Sequence, residues 1–387
     1  MLASTYPRWK DDHEPSFVHE LARRLVHWFE VIVVCPHAAG AARREMLDGV
    51  QVERYRYAPA AWETLVNNGG ITTNLRSSPW KWWLVPSFIA AQWLLARRLL
   101  KPRAIVHAHW LLTPGLVASG LGMPFVVTSH GADLFALRGS LAMGLKRRVV
   151  RRCRGFTVVS QAMLPPARNL DDSIAPVVAP MGVDLQHVFT PDPRIPREPD
   201  RLLFVGRLVE KKGLDVLLEA LPDVLAMRPG TRLTVVGFGP LEKDLRAQCA
   251  RLGLEGVVTF AGAMPSASLA MYYRSAAAFV APFRPASSGD QEGLGLVLVE
   301  ALGCGCPVVA SDLPAVRDVL TDMPGVFPVK VADSKALVEG VLAALDSSAA
   351  KVIEGRQRLV DRFDWEAVAK RYAGILMAAS DGGSADV

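Results

Sequence analysis

Short runs of valine, isoleucine and leucine, bounded by glycine, proline or charge, alternate along the chain with longer stretches. In the longer stretches apolar residues recur every three to four positions. The short runs read as buried parallel strands and the longer ones as covering helices, the alternation of a doubly wound α/β protein. Strands are predicted in the first half at Val31–Cys35, Ala104–Ala108, Phe125–Thr128 and Phe156–Val159. The second half supplies Arg201–Val205, Arg232–Val236, Val257–Phe260, Ala278–Ala281 and Pro307–Ala310. Helices are predicted at Ser16–Trp28, Gly213–Met227, Leu241–Leu252 and Gly295–Gly303. Residues 190–200 (TPDPRIPREPD) hold four prolines in eleven positions, which continue neither a helix nor a central strand. They read as an interdomain linker, with one Rossmann-like domain over 1–189, a second over 201–363, and a helix over 364–380 returning toward the first. Only Met1–Ser4 precedes the loop STYPRWK, so the opening strand of the first domain is short or begins upstream.

Length and composition agree with two domains. The chain has 387 residues, half of them apolar, enough to bury two sizeable cores. Five scattered cysteines form no disulfide framework and no zinc-ligand spacing, and Cys304 and Cys306 in GCGCP read as packing residues. Met1–Lys10 contains no apolar signal core and no window offers a spanning run, so a cytoplasmic location is expected. Residues 1–190 carry 22 basic against 13 acidic side chains and residues 191–387 carry 22 against 25. A basic first half points to an anionic surface as partner, and nothing in the pattern points to nucleic acid.

The candidate chemistry gathers at strand ends. After Leu202–Val205 comes Gly206-Arg207, then Lys212-Gly213 and a helix. A strand-to-helix junction offers free N–H groups and a positive dipole end, to which Arg207 adds a planar donor fork and Lys212 a mobile charge. The set suits a diphosphate. Glu292 and Glu300 stand eight positions apart, a little over two helical turns, around Gly293-Leu294-Gly295-Leu296. Two carboxylates so spaced can accept bonds from the hydroxyls of one extended polar ligand. Gly237 and Gly239 form a turn after Arg232–Val236. A dinucleotide fingerprint would want a third glycine where Glu242 stands, so this turn reads as lining for a nucleotide cleft. In the first half, His109-Trp110 and Ser129-His130-Gly131-Ala132-Asp133 follow predicted strands, where doubly wound folds place ligands.

These motifs in this order, GR-x4-KG, VGFGP, the two glutamates and CPVVAS, resemble the family-four retaining glycosyltransferases of the GT-B fold. The resemblance covers nearly the whole chain. STYPRWK, PSFVHELARRL, HAHW and SHGADLF are similar to the subgroup that builds capsule, exopolysaccharide or teichuronic-type polymers. It implies two Rossmann-like domains facing across a cleft and a nucleotide-sugar donor, UDP- or GDP-linked. Arg207 and Lys212 would bind the diphosphate, Glu300 the ribose hydroxyls and Glu292 the donor sugar. The backbone of Gly206, Gly237, Gly239 and Gly293 to Leu296 would line the donor, with the base near Met264. His130 would point at the donor sugar, with His13, His109, Trp110 and Asp133 on the acceptor side. In place of the family's glycine-rich first loop stands Lys10-Asp-Asp-His13-Glu14.

The reaction so implied is a front-face transfer in which the departing phosphate takes the acceptor proton. Arg207 and Lys212 compensate charge, and no cofactor or metal is expected because no Asp-x-Asp triplet occurs. The acceptor would be a glycan or a polyprenyl-linked sugar at the cytoplasmic face of the inner membrane. Trp80, Trp82, Trp83 and Trp93 beside Lys81, Arg97, Arg98 and Lys101 read as an interfacial helix, and Lys146–Arg154 adds six basic residues in nine. A core helix whose tryptophans line the acceptor cleft is the alternative for that segment. Alternatives for the whole protein are a sugar-nucleotide 2-epimerase on a similar fold and a catalytically silent adaptor at the membrane surface.

Overall fold

The computed structural model describes residues 1–381 except 11, 13–15, 67–69, 136, 138 and 348. The chain divides into two compact units, Met1–Gly182 with Val368–Val387, and Val183–Ala367. Each is a mainly parallel sheet covered by helices. The proline-rich segment expected to link them lies within the second unit. There Arg197 donates to the carbonyls of Ala276 and Gly305, both at 2.5 Å, and Glu198 N–H donates to the carbonyl of Ser275. Proline removes donors and fixes φ, but it does not prevent an extended segment from being pinned by its other polar groups.

In the first unit the strands are β1 (Ile32–Pro36), β2 (Arg44–Leu47), β3 (Val50–Tyr55), β4 (Val106–His109), β5 (Phe125–Ser129), β6 (Gly155–Val158) and β7 (Val177–Val178). β1 pairs with β3, and β2 runs antiparallel on the outside, while β4 to β7 follow in order. Leu2 forms parallel bridges to both Val34 and Ala108, so the opening strand occupies the centre of the sheet in minimal form. The Met1 amine beneath it donates to the Ile32 carbonyl at 2.6 Å, and burial lowers its pKa to about 5. The hairpin β2–β3 escaped the sequence pattern because Arg44–Leu47 is an edge strand, largely exposed, with charge where a buried strand carries valine.

The second unit contains β8 (Arg201–Val205), β9 (Arg232–Val236), β10 (Val258–Gly262), β11 (Ala278–Ala281), β12 (Val308–Ser311) and β13 (Val326–Val329). Their order is β10-β9-β8-β11-β12-β13, all parallel. This is the two-fold wound order in which the direction of winding reverses between β8 and β11. Under the sheet, Leu202, Phe204, Leu217, Leu221, Val235 and Val280 form a continuous core with the helices Leu214–Met227 and Ser334–Leu345.

The tryptophan-rich segment is not one helix. Pro79–Trp83 is a 3₁₀ turn, and the α-helix Leu84–Leu99 follows, burying Leu84, Phe88, Gln92 and Ala96 on one face. That helix belongs to the core of its unit. Trp80, Trp82 and Trp83, however, precede that helix and are 50%, 53% and 86% exposed. Among the described residues no helix is long and apolar enough to cross a membrane.

Candidate functional site

The reversal between β8 and β11 marks where a ligand crevice opens in a sheet of this order. The loops leaving those two strands carry most of the residues singled out by the sequence. Gly206 and Arg207 follow β8, and a single 3₁₀ turn, Glu210–Lys212, leads into the helix Leu214–Met227. Gly213 joins them in the left-handed conformation at φ 69°, and a Cβ there would stand 1.8 Å from the Pro282 carbonyl oxygen. Only glycine lets the two loops approach so closely.

Two ion pairs and a pair of hydrogen bonds then fasten the turn to the segment after β11. Glu210 accepts from Ser287 N–H at 2.9 Å and from its hydroxyl at 2.8 Å. Lys211 reaches Asp290 and the Gln291 carbonyl at 3.3 Å. Lys212 donates to Glu292 Oε2 at 2.7 Å while its ammonium lies 4.6 Å from the centre of the Phe283 ring. The sequence singled out Lys212 and Glu292 separately. The structure makes them an ion pair, with Phe283 as an unforeseen third partner. Burial alone would raise the Glu292 carboxyl, but Lys212 and then Lys211 overcome it and hold the group at about 2. It is therefore a carboxylate at neutral pH, as is needed to accept hydroxyl donors.

Glu292 and Glu300 do not share a helix. The α-helix is Leu296–Gly303, and Gly295, left-handed at φ 80°, starts it. Glu292 stands in the loop ahead and Glu300 in the helix's second turn. The first amides of the helix have no partner within it, and Gly293 and Leu294, between Glu292 and the helix, are buried. Glu300 accepts from the Tyr273 hydroxyl at 2.9 Å. Burial pushes its carboxyl up to about 7, although Tyr273 and Lys212 both pull it down.

The remaining glycine turn closes the site. Gly206 N–H donates to Val236, Leu208 N–H to Phe238 and Gly237 N–H to Gly262, so the loops after β8, β9 and β10 are laced together by backbone bonds. A Cβ on Gly237 would meet the Gly206 carbonyl oxygen at 2.0 Å, and one on Gly239 would meet the Leu208 carbonyl oxygen at 2.4 Å. Met264, half-buried, lies in the loop after β10. Gly206, Arg207, Lys212, Gly237, Gly239, Met264, Glu292 to Leu296 and Glu300 thus all stand on loops or helix starts at one end of one sheet.

The first unit brings together a second set. His109 ends β4, the loop after it opens with Trp110 at φ 77°, and the loop after β5 carries His130. His109 Nδ1 and His130 Nε2 are hydrogen-bonded at 3.0 Å and their rings stack at 5.2 Å. Trp110 and Phe17 pack on His130 at 5.0 and 4.9 Å. Burial holds His130 at about 3, and His109 well below the ordinary histidine range, so both are neutral. Asp133 joins the two loops from within. Its Oδ1 accepts from the Ser129 hydroxyl at 2.8 Å and His130 N–H at 3.2 Å, and its Oδ2 from Leu111 N–H at 2.7 Å. Among the described residues these hydrogen bonds of the buried carboxylate all run to its own framework, so it shapes the loops. His13 lies outside the described residues.

Other proteins are similar to this chain. A family model for glycosyl transferases group 1 matches residues 188–362, and one for glycosyltransferase family 4 matches 16–187. The phosphatidyl-myo-inositol mannosyltransferase of Mycobacterium tuberculosis is 32% identical over 293 residues, covering 72% of this chain and 75% of that protein. The GDP-mannose-dependent alpha-(1-6)-phosphatidylinositol monomannoside mannosyltransferase of Mycolicibacterium smegmatis is 32% identical over 265 residues, covering 65% and 69%. Among solved structures, sucrose-phosphate synthase from Thermosynechococcus elongatus superimposes with a TM-score of 0.76 at 21% identity over 95% of this chain and 93% of that one. Anabaena HepE in complex with UDP and glucose does so at 0.71 and 16%, over 97% and 98%. Two parallel-sheet units, the strand-end loops and these matches together make the chain a GT-B protein that belongs to the family-four, group 1 glycosyltransferases.

Proposed function

We propose that the protein transfers a sugar from a nucleotide-sugar donor to a lipid-linked or glycan acceptor, with retention of configuration and without a divalent ion. The observation that carries this reading is the set Lys212, Glu292 and Glu300 around the start of the helix Leu296–Gly303. Arg207, Lys212 and the helix-start amides meet the diphosphate, Glu300 meets the ribose, and Glu292 meets the sugar. Lys212 exchanges part of its contact with Glu292 for a phosphate oxygen when the donor binds. Charge developing on the departing phosphate is then stabilised by groups already in place, and that phosphate takes the acceptor proton. His109 and Trp110 serve the acceptor side while His130 points at the donor sugar, and neutral imidazoles suit such hydroxyl ligands better than anions.

The acceptor is read as membrane-borne. The relatives named above are phosphatidylinositol mannosyltransferases, and Trp80, Trp82 and Trp83 lie exposed beside Lys81 on a basic unit. Interfacial tryptophans with basic neighbours dock to anionic leaflets, each basic residue contributing about 1 kcal/mol. The cytoplasmic face of the inner membrane and a role in cell-surface polysaccharide synthesis complete the proposal.

A thermal-shift panel of UDP, GDP and their sugars, followed by transfer assays with excess chelator, tests the donor side. No shift with any nucleotide, or activity lost to chelator and restored by magnesium, overturns it. Flotation with anionic liposomes tests the membrane side. Binding is expected at low salt, weaker at high salt, and lost when Trp80, Trp82 and Trp83 become serine.

A further inference from the structure

Glu300 has one hydrogen-bond partner for its side chain among the described residues, and no sequence motif marked it. Tyr273 lies on the helix Ser266–Ser275, between β10 and β11, and is fully buried. Its ring stands edge-on to Phe279 at 5.4 Å and to Phe189 at 6.0 Å. The ring is thus held by packing that does not need the hydroxyl. The hydroxyl itself is committed to Glu300 Oε2 at 2.9 Å. Burial and the neighbouring carboxyl keep the phenol protonated far above its ordinary range, so it is a permanent donor.

A glutamate side chain has three rotatable bonds, and freezing them on ligand binding costs free energy. Here a rigid buried aromatic holds one carboxyl oxygen before any ligand arrives. The other oxygen takes no hydrogen bond from the described residues.

We propose that Tyr273 is a positioning residue for nucleotide recognition. It holds Glu300 Oε2 so that the carboxylate meets the two vicinal ribose hydroxyls in a preset orientation. This rests on Glu300 being the ribose ligand, as proposed above. The step involves no chemistry at Tyr273, which acts only through Glu300.

The test is isothermal calorimetry of wild type, Tyr273→Phe, Glu300→Ala and the double variant. The ligands are UDP and GDP and their 2′,3′-dideoxy counterparts. Tyr273→Phe is expected to weaken the preferred ribonucleotide about tenfold, the size of one hydrogen bond to a charged group. The dideoxynucleotide is expected to change less than twofold, and Tyr273→Phe to add nothing once Glu300 is alanine. A role in packing alone would weaken both ligands equally, and that result overturns the proposal. So does an unaffected Tyr273→Phe beside a weakened Glu300→Ala, although that outcome leaves the ribose assignment standing. If wild type binds the two nucleotide forms equally and Glu300→Ala changes nothing, the ribose assignment itself falls. Should Tyr273→Phe not fold, 4-fluorophenylalanine at position 273 fills the hydroxyl's space without donating and carries the same expectations.

Discussion

Replacing Glu300 by glutamine separates what this residue does for folding from what it does for a ligand. Its carboxyl rises from 4.5 to about 7 in the folded chain because burial penalises the charged form. The folded state therefore holds this proton more tightly than the unfolded state does. The stability it contributes is fully present below pH 4.5 and is lost as pH rises to 7. Above that the unit carries a buried charge, at a cost of up to about 3 kcal/mol for a shift of this size. Glutamine is neutral throughout and can still accept from Tyr273. Glu300→Gln should then match wild type at pH 4 and exceed it at pH 8, by several degrees in the melting of the second unit. Adding saturating nucleotide should narrow that lead without reversing it, because wild type gains more from the ligand. A tenfold loss of affinity removes about 1.4 kcal/mol of ligand stabilisation. Calorimetric melts from pH 4 to 9, with and without nucleotide, measure both effects. A variant less stable than wild type at pH 8, or an offset that does not change with pH, refutes the reasoning. The expected pattern is a binding residue retained at the expense of stability.

Three further outcomes follow from named contacts. Lys212→Ala leaves the half-buried Glu292 without its nearest partner and should cost up to about 3 kcal/mol at pH 7. Glu292 is held near 2, so its contribution is present above pH 4.5 and lost as pH falls toward 2. Urea unfolding at pH 3 should therefore show a smaller penalty, and adding Glu292→Gln should restore most of the loss at pH 7. Gly213→Ala drives a Cβ onto the Pro282 carbonyl, and should lose about 4 kcal/mol or more, read as insoluble expression or a collapsed urea midpoint. Asp133→Asn turns an amide nitrogen toward backbone or hydroxyl donors, and should cost about 2 kcal/mol with altered fluorescence of Trp110. Unchanged unfolding and fluorescence would remove Asp133 from the framework role.

The sequence alone determined the fold class and most of the strands of both sheets. Buried parallel strands are continuous apolar runs, so Arg201–Val205, Arg232–Val236 and Ala278–Ala281 could be read to the residue. The strand-end loops were legible for a related reason. Glycines at Gly213, Gly237 and Gly239 persist where backbones nearly touch, and charged residues beside them stand out from apolar surroundings. What remained hidden depends on residues distant in sequence. The exposed edge strand β2 has no apolar run to reveal it. Only packing decided that Trp80, Trp82 and Trp83 stay at the surface while Phe88 and Gln92 enter the core, because neighbouring residues of one segment diverge there. Only the tertiary structure could pair Lys212 with Glu292 across 80 positions, lay Phe283 against that ammonium, and put the Tyr273 hydroxyl on Glu300. The charge states at the site follow from those contacts. Burial and partner distance set a carboxyl's affinity for its proton, and neither is a local property of the chain.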